Sequence, residues 1–153
     1  MALDVSATRE IDATPEEVAA IQFDPTNDPE WIGGVDRIEL VTPPPLAVGS
    51  QVRRLGGFLG RRIEWVMLVE RLEAARHVGM QAVRSPFPMQ VDYRLEPLDD
   101  GRRTRATIRI RGEAAGLYRL PGPLLGPMVR SSVGGDLRRL ARLVEGRRGK
   151  GRS

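Results

Sequence analysis

One hundred and fifty-three residues make a chain of single-domain size, long enough to hide about two thirds of its surface on folding. Hydrophobic residues at 41% and charged residues at 29% fit a soluble globular protein, and no apolar run approaches the ~18 residues of a membrane span. Zero cysteines exclude disulfides, thiol catalysis and thiolate metal sites, and the single histidine, His77, excludes zinc sites built on two imidazoles.

The N-terminus lacks the charged-then-apolar pattern of a signal peptide, so a cytoplasmic location is expected. The formal charge of +4 looks like a nucleic-acid signal until it is placed along the chain. Four of the 24 basic residues, Arg147, Arg148, Lys150 and Arg152, stand together at the end, and the rest balance the 20 acidic residues. Residues 1–146 are therefore formally neutral, and no specific nucleic-acid partner is expected. Residues 147–153 have no apolar side chain to bury and read as a disordered basic tail, suited at most to weak contact with an anionic surface.

The segment from Leu3 to Asp12 roughly alternates and reads as a first strand. Thr14-Pro15-Glu16-Glu17 then offers a hydroxyl cap, a proline at the first helical position and a glutamate three residues after the cap, so a short helix starts at Thr14. Asp24-Pro25 interrupts it. Asp28-Pro29-Glu30-Trp31 supplies a second cap and proline start for about one turn before Gly33-Gly34 stops it. From Val35 the pattern turns strand-like: VDRIELV, VGSQVRRL after the Pro43-Pro44-Pro45 break, RRIEWVMLVERL after Gly60, ARHVGMQAV and FPMQVDYRLEP.

A four-residue hairpin loop at Asp99 to Arg102 fixes a register for the last two strands. It sets Glu96 against Arg105, Asp92 against Arg109 and Gln90 against Arg111 on one face, with Leu95, Tyr93 and Val91 against Ala106, Ile108 and Ile110 on the other. Opposite charges meet on the wet face and apolar groups on the dry one, so the arginine stripe reads as a solvated, paired face. Beyond a Gly/Pro-rich bridge from Gly116 to Pro123, Val129, Val133, Leu137, Leu140 and Val144 step by four or three residues. They predict a long amphipathic helix to Glu145, with Arg138 and Arg142 opposite the stripe. Gly134 and Gly135 lie off the stripe, loosening or bending the helix at a cost of roughly 1 kcal/mol each relative to alanine.

A strand, two short helices, about six strands in consecutive hairpins and a long C-terminal helix with one apolar face make an α+β fold, an antiparallel sheet curled around that helix. The order and the words together, ATPEEV at Ala13, FDPTNDPEW at Phe23, PLAVGS at Pro45, YRLEPLDDGRRT at Tyr93 and LRRLARLVEG near the end, resemble the START-like helix-grip superfamily. The likeness is specifically to its polyketide cyclase/dehydrase and lipid-transport branch, over residues 3–145. The resemblance implies a deep cavity between sheet and C-terminal helix for sterols, lipids, polyketides or other apolar ligands. It carries over no universal catalytic residue.

Trp65 shares a strand face with Ile63, Met67 and Val69 and reads as core or pocket wall. Met67, Met80, Met89 and Met128 are assigned to inward faces, where methionine adapts to irregular apolar shapes. Asp136 sits about 60° from the centre of the helix stripe, on its inward edge, with Arg139 at i+3 as the expected partner. Arg54 shares parity with Val52, and pointing inward it would anchor a ligand carboxylate or carbonyl. His77 opposes Val78 and Met80 in parity and is expected to face water. The candidate ligand-binding set is thus Trp65, Met67, Met89, Tyr93, Ile108, Met128, Ser132, Asp136 and Arg54, lining one pocket of several hundred Å³, polar near Asp136. No catalytic residue, metal or cofactor is expected.

The leading expectation is a carrier or sensor of an apolar small molecule such as a lipid or polyketide. One alternative is an aromatase/cyclase that folds a poly-β-keto chain and assists aldol closure and dehydration, using Tyr93, Arg54 or Asp136 as acid, base or oxyanion partner. The other is an interaction module acting on a ribosome or membrane complex through the basic tail. The residues leave ligand identity, turnover and oligomeric state open.

Overall fold

The computed structural model describes residues 2–58, 61–85, 88–113 and 122–150. Strand β1 (Ala2–Ile11) is followed by helix α1 (Pro15–Gln22), a 3-10 turn (Pro25–Asn27) and helix α2 (Asp28–Trp31). Six strands come next, β2 (Val35–Leu40), β3 (Gln51–Phe58), β4 (Arg61–Glu73), β5 (His77–Arg84), β6 (Met89–Leu98) and β7 (Arg103–Glu113), and then helix α3 (Gly122–Lys150). All seven strands form one antiparallel sheet in the order β1-β7-β6-β5-β4-β3-β2. The segment holding α1 and α2 therefore carries the chain from one edge of the sheet to the other. The curled sheet closes on α3, giving the expected α+β helix-grip architecture.

Local chemistry accounts for the helix starts. Thr14 Oγ1 accepts from the Glu17 backbone N–H at 3.1 Å, and Glu17 Oε1 accepts from the Thr14 N–H at 3.0 Å, the reciprocal box the sequence spells. The second start differs from expectation. Asp24 caps the 3-10 turn through the Thr26 N–H, whereas Asp28 makes no capping bond and is buried instead.

The β6/β7 register is the one the hairpin loop dictates: Glu96 faces Arg105, Asp92 faces Arg109, Tyr93 faces Ile108 and Val91 faces Ile110. Asp99, Asp100 and Gly101 turn the chain with φ of 51°, 57° and 85°, the left-handed region that aspartate tolerates and glycine enters freely. On the wet face the pairing shifts diagonally. Arg109 donates twice to Asp4 of β1, at 2.9 and 2.7 Å, because Asp92 is engaged by Arg111 and His77.

His77 corrects a sequence expectation. It lies on the outer face of the sheet, as parity requires, yet is only 4% exposed. Its Nε2 is 2.6 Å from Asp92 Oδ1 and its Nδ1 3.9 Å from Glu73 Oε2. A bulge in β4 between Val69 and Arg71, together with the long side chains of Arg71, Arg94, Arg109 and Arg111, builds a groove around the ring.

On α3 the predicted stripe is buried: Val129, Val133, Leu137, Leu140 and Val144 enter the core with Leu125 and Ala141, while Arg138 and Arg142 are exposed. The tail expectation is corrected in part. The helix runs on to Lys150, since a docked helix propagates by adding one backbone bond per residue, and Arg147 reaches Glu30 at 3.3 Å. Residues 151–153, the bridge from Gly116 to Pro121, and Phe87 lie outside the described residues. No helix among the described residues is long and apolar enough to cross a membrane.

Candidate functional site

Between the inner face of the sheet and α3 lies a cavity of about 160 Å³, smaller than the several hundred Å³ expected. Strand register orders its walls. Leu3, Gly112 and Met89 share one cross-strand row, and Ala7, Ile108 and Tyr93 share another four residues along, about 13 Å away. Leu3, Met89 and Leu125 make one end mainly apolar, with Ser85 beside it, Val91, Ile110, Val129 and Val133 continue the wall, and the charged groups gather toward Tyr93.

Four segments, α2, β3, β6 and α3, build that polar end. The single turn of α2 places Asp28 and Trp31, three residues apart, on one buried face. Arg54 comes from β3, where it pairs with Trp65 of β4 across the ladder. Its Nε donates to Asp28 Oδ2 at 2.9 Å, while Nη2 lies 2.9 Å from the same oxygen in the ion pair and donates to the Tyr93 hydroxyl at 3.4 Å. The Trp31 and Tyr93 rings meet edge to face with centroids 5.6 Å apart. From α3, Asp136 Oδ1 accepts from the Gly33 N–H at 2.9 Å and from Arg139, whose Nε holds the Trp31 carbonyl at 3.0 Å. A Cβ at Gly33 would lie 2.5 Å from the end of the Arg139 side chain, which would have to shift away from its place beside Asp136.

Burial shapes the ionisation of this cluster. It pushes Asp28 up from 3.8 to about 6 against the pull of Arg54, so the carboxylate is charged at neutral pH but protonates in mild acid. Arg54 is opposed by burial, yet Asp28 and Tyr93 hold it above its ordinary value. Tyr93 is pushed up to about 12 by burial and stays protonated. Asp136 is raised by burial, with the Gly33 N–H and Arg139 opposing.

Of the nine candidates read from the sequence, Trp65, Met89, Tyr93, Ile108, Ser132, Asp136 and Arg54 line this one cavity. Met67 does not; it is wholly buried in the core. Met128 does not either. At 100° per residue it stands about 140° from Val133, on the outer side of α3, and is 37% exposed. Asp136 has the Arg139 partner expected of it and borders the cavity as well. The sequence reading missed Asp28, taken for a cap, and Trp31, given no place in the pocket. The i,i+3 spacing of the two, and the need of an inward Arg54 for an acid, were the available signals.

A curled antiparallel sheet gripping a C-terminal helix over an apolar cavity defines the helix-grip fold. The chain belongs to the polyketide cyclase / dehydrase and lipid transport family, whose model matches residues 2–145. Among solved structures it is similar to TTHA0849 from Thermus thermophilus, with 19% identity, a TM-score of 0.77, and 94% of this chain and 97% of that one covered. It is also similar to the Zhui aromatase/cyclase from Streptomyces sp. R1128, with 18% identity, a TM-score of 0.75 and coverage of 95% and 94%. A START superfamily protein from Mycobacterium smegmatis shares 22% identity at a TM-score of 0.71, with 94% and 95% covered. At these identities the likeness is one of fold. No curated protein matches the sequence.

Proposed function

We propose that the protein binds an apolar small molecule in the cavity between sheet and α3, with Trp65, Met89, Tyr93, Ile108, Ser132, Asp136 and Arg54 among its contacts. The observation that carries this reading is the cavity's make-up, apolar walls ending in a few fixed polar groups. Its volume narrows a lipid or polyketide ligand to a single ring or short chain, since an apolar cavity of ~150 Å³ suffices for benzene. Trp31 and Trp65 both line the space, so occupancy has an intrinsic reporter. Titration with propylbenzene should shift tryptophan emission, and Val133→Phe, which puts a ring into the cavity, should suppress the shift. An emission spectrum indifferent to propylbenzene overturns the reading.

A catalytic version of the same reading is favoured by Tyr93. Its hydroxyl accepts from Arg54 and keeps its own proton to donate to a carbonyl oxygen, as aldol closure or dehydration of a β-keto chain short enough for the cavity requires. Tyr93→Phe should then abolish turnover of such a substrate while propylbenzene still binds. Turnover unchanged by that substitution removes Tyr93 from catalysis.

A further inference from the structure

We propose that the cavity selects an electrically neutral ligand with a carbonyl oxygen at its polar end, and that Asp28 is the residue that excludes carboxylates. This deepens the binding reading and rests on it. Taken alone, Arg54 would be an anchor for an anion. Its charge is already answered inside the protein: Nε donates to Asp28 Oδ2, Nη2 lies 2.9 Å from the same oxygen, and the two side chains are 6% and 1% exposed, beyond the reach of solvent screening. Arg54 and Asp136 are the charged residues among the described lining, and Asp136 is answered in turn by Arg139. The polar end therefore sums to zero. A ligand carboxylate would enter as a third anion beside two cations, giving up its hydration with no free charge to receive it.

Asp28 Oδ1 is a buried acceptor with no partner among the described residues, a further obstacle to an anion, and the groups that face a ligand oxygen favourably are neutral donors. The Tyr93 hydroxyl accepts from Arg54, which leaves its own hydrogen to give. Trp31 Nε1 is buried and has no partner among the described residues. Two neutral N–H and O–H donors, on rings in edge-to-face contact, suit an oxygen with two lone pairs and no charge. A ketone meets that description, and a carboxylate of the same size does not.

The experiment compares propylbenzene, 4-ethylacetophenone and 4-ethylbenzoate by tryptophan emission and calorimetry near pH 8, on wild type and on Asp28→Asn. The wild type should bind the ketone at least tenfold more tightly than the benzoate. Asp28→Asn removes the internal counter-charge while leaving Arg54 an acceptor, and should cut that preference tenfold or reverse it. Benzoate binding as tight as the ketone in wild type overturns the inference, as does a preference untouched by Asp28→Asn. If the variant does not fold, the wild-type ratio decides alone. Failure of propylbenzene to bind would instead overturn the binding reading, and this inference with it; propylbenzene bound with benzoate equal to ketone overturns this inference only.

Discussion

Replacing Arg54 with methionine keeps most of the aliphatic bulk but strips Asp28 of its counter-charge in a place water does not reach. Removing one partner of a buried pair costs about 3–5 kcal/mol, because the other charge is left uncompensated. The cost depends on pH with a definite sign. Asp28 has a folded pKa near 6 against 3.8 unfolded, so between these values the folded state binds more protons than the unfolded one. Its contribution to stability is full below 3.8 and is lost as pH rises through about 6. Without Arg54 the attraction that restrains this shift is gone, the folded pKa climbs further, and the loss continues at roughly 1.4 kcal/mol per pH unit. Arg54→Met should therefore be most damaging near pH 8, with a penalty that shrinks toward pH 5. Adding Asp28→Leu should recover most of the loss at pH 8, since an apolar pair of similar volume is about as stable as the ion pair. Urea unfolding by linear extrapolation at several pH values measures all three chains. A penalty below about 1 kcal/mol at pH 8, or one equal at pH 5 and pH 8, would refute the reasoning.

Leu137→Ala should cost about 2–5 kcal/mol, as truncations of fully buried leucines do, while Arg138→Ala on the exposed face should stay within ~0.5 kcal/mol; equal small effects would mean that α3 is not docked through this stripe. Gly134→Ala should stabilise by up to about 1 kcal/mol in urea unfolding, because the new Cβ meets nothing within 4 Å and the residue is helical. A chain ending at Glu145 loses the last turn of α3 and the exposed Arg147–Glu30 pair and should unfold within about 1 kcal/mol of the full chain. The same truncation should abolish retention on heparin; retention that survives it would show a basic face on the body and favour the interaction-module reading.

What the sequence made legible follows from periodicity and turn chemistry. The β6/β7 register could be read to the residue because a four-residue loop and period-two alternation leave one solution that buries Tyr93, Val91 and Ile108 together. The α3 stripe and the Thr14 box were legible for the same local reason. His77 was misplaced because parity assigns a face but not its exposure, and the covering comes from Arg71 and Asp92 on other strands or beyond a bulge. Asp28 was misread because a residue before proline suits a helix start equally well whether its carboxylate caps the turn or reaches Arg54, 26 residues away. Met128 was assignable from the helix projection itself, which puts it with the exposed residues.

The central claim, a ligand cavity between sheet and α3 with a neutral polar end, is tested most directly by a crystal of the protein with 4-bromoacetophenone bound. The anomalous signal of bromine should place that atom among Leu3, Met89 and Leu125, with the ketone oxygen within about 3.2 Å of the Tyr93 hydroxyl or Trp31 Nε1. Side chains of the protein filling this space, or bromine found only elsewhere, such as the outer groove beside His77 and Arg94, would contradict the account.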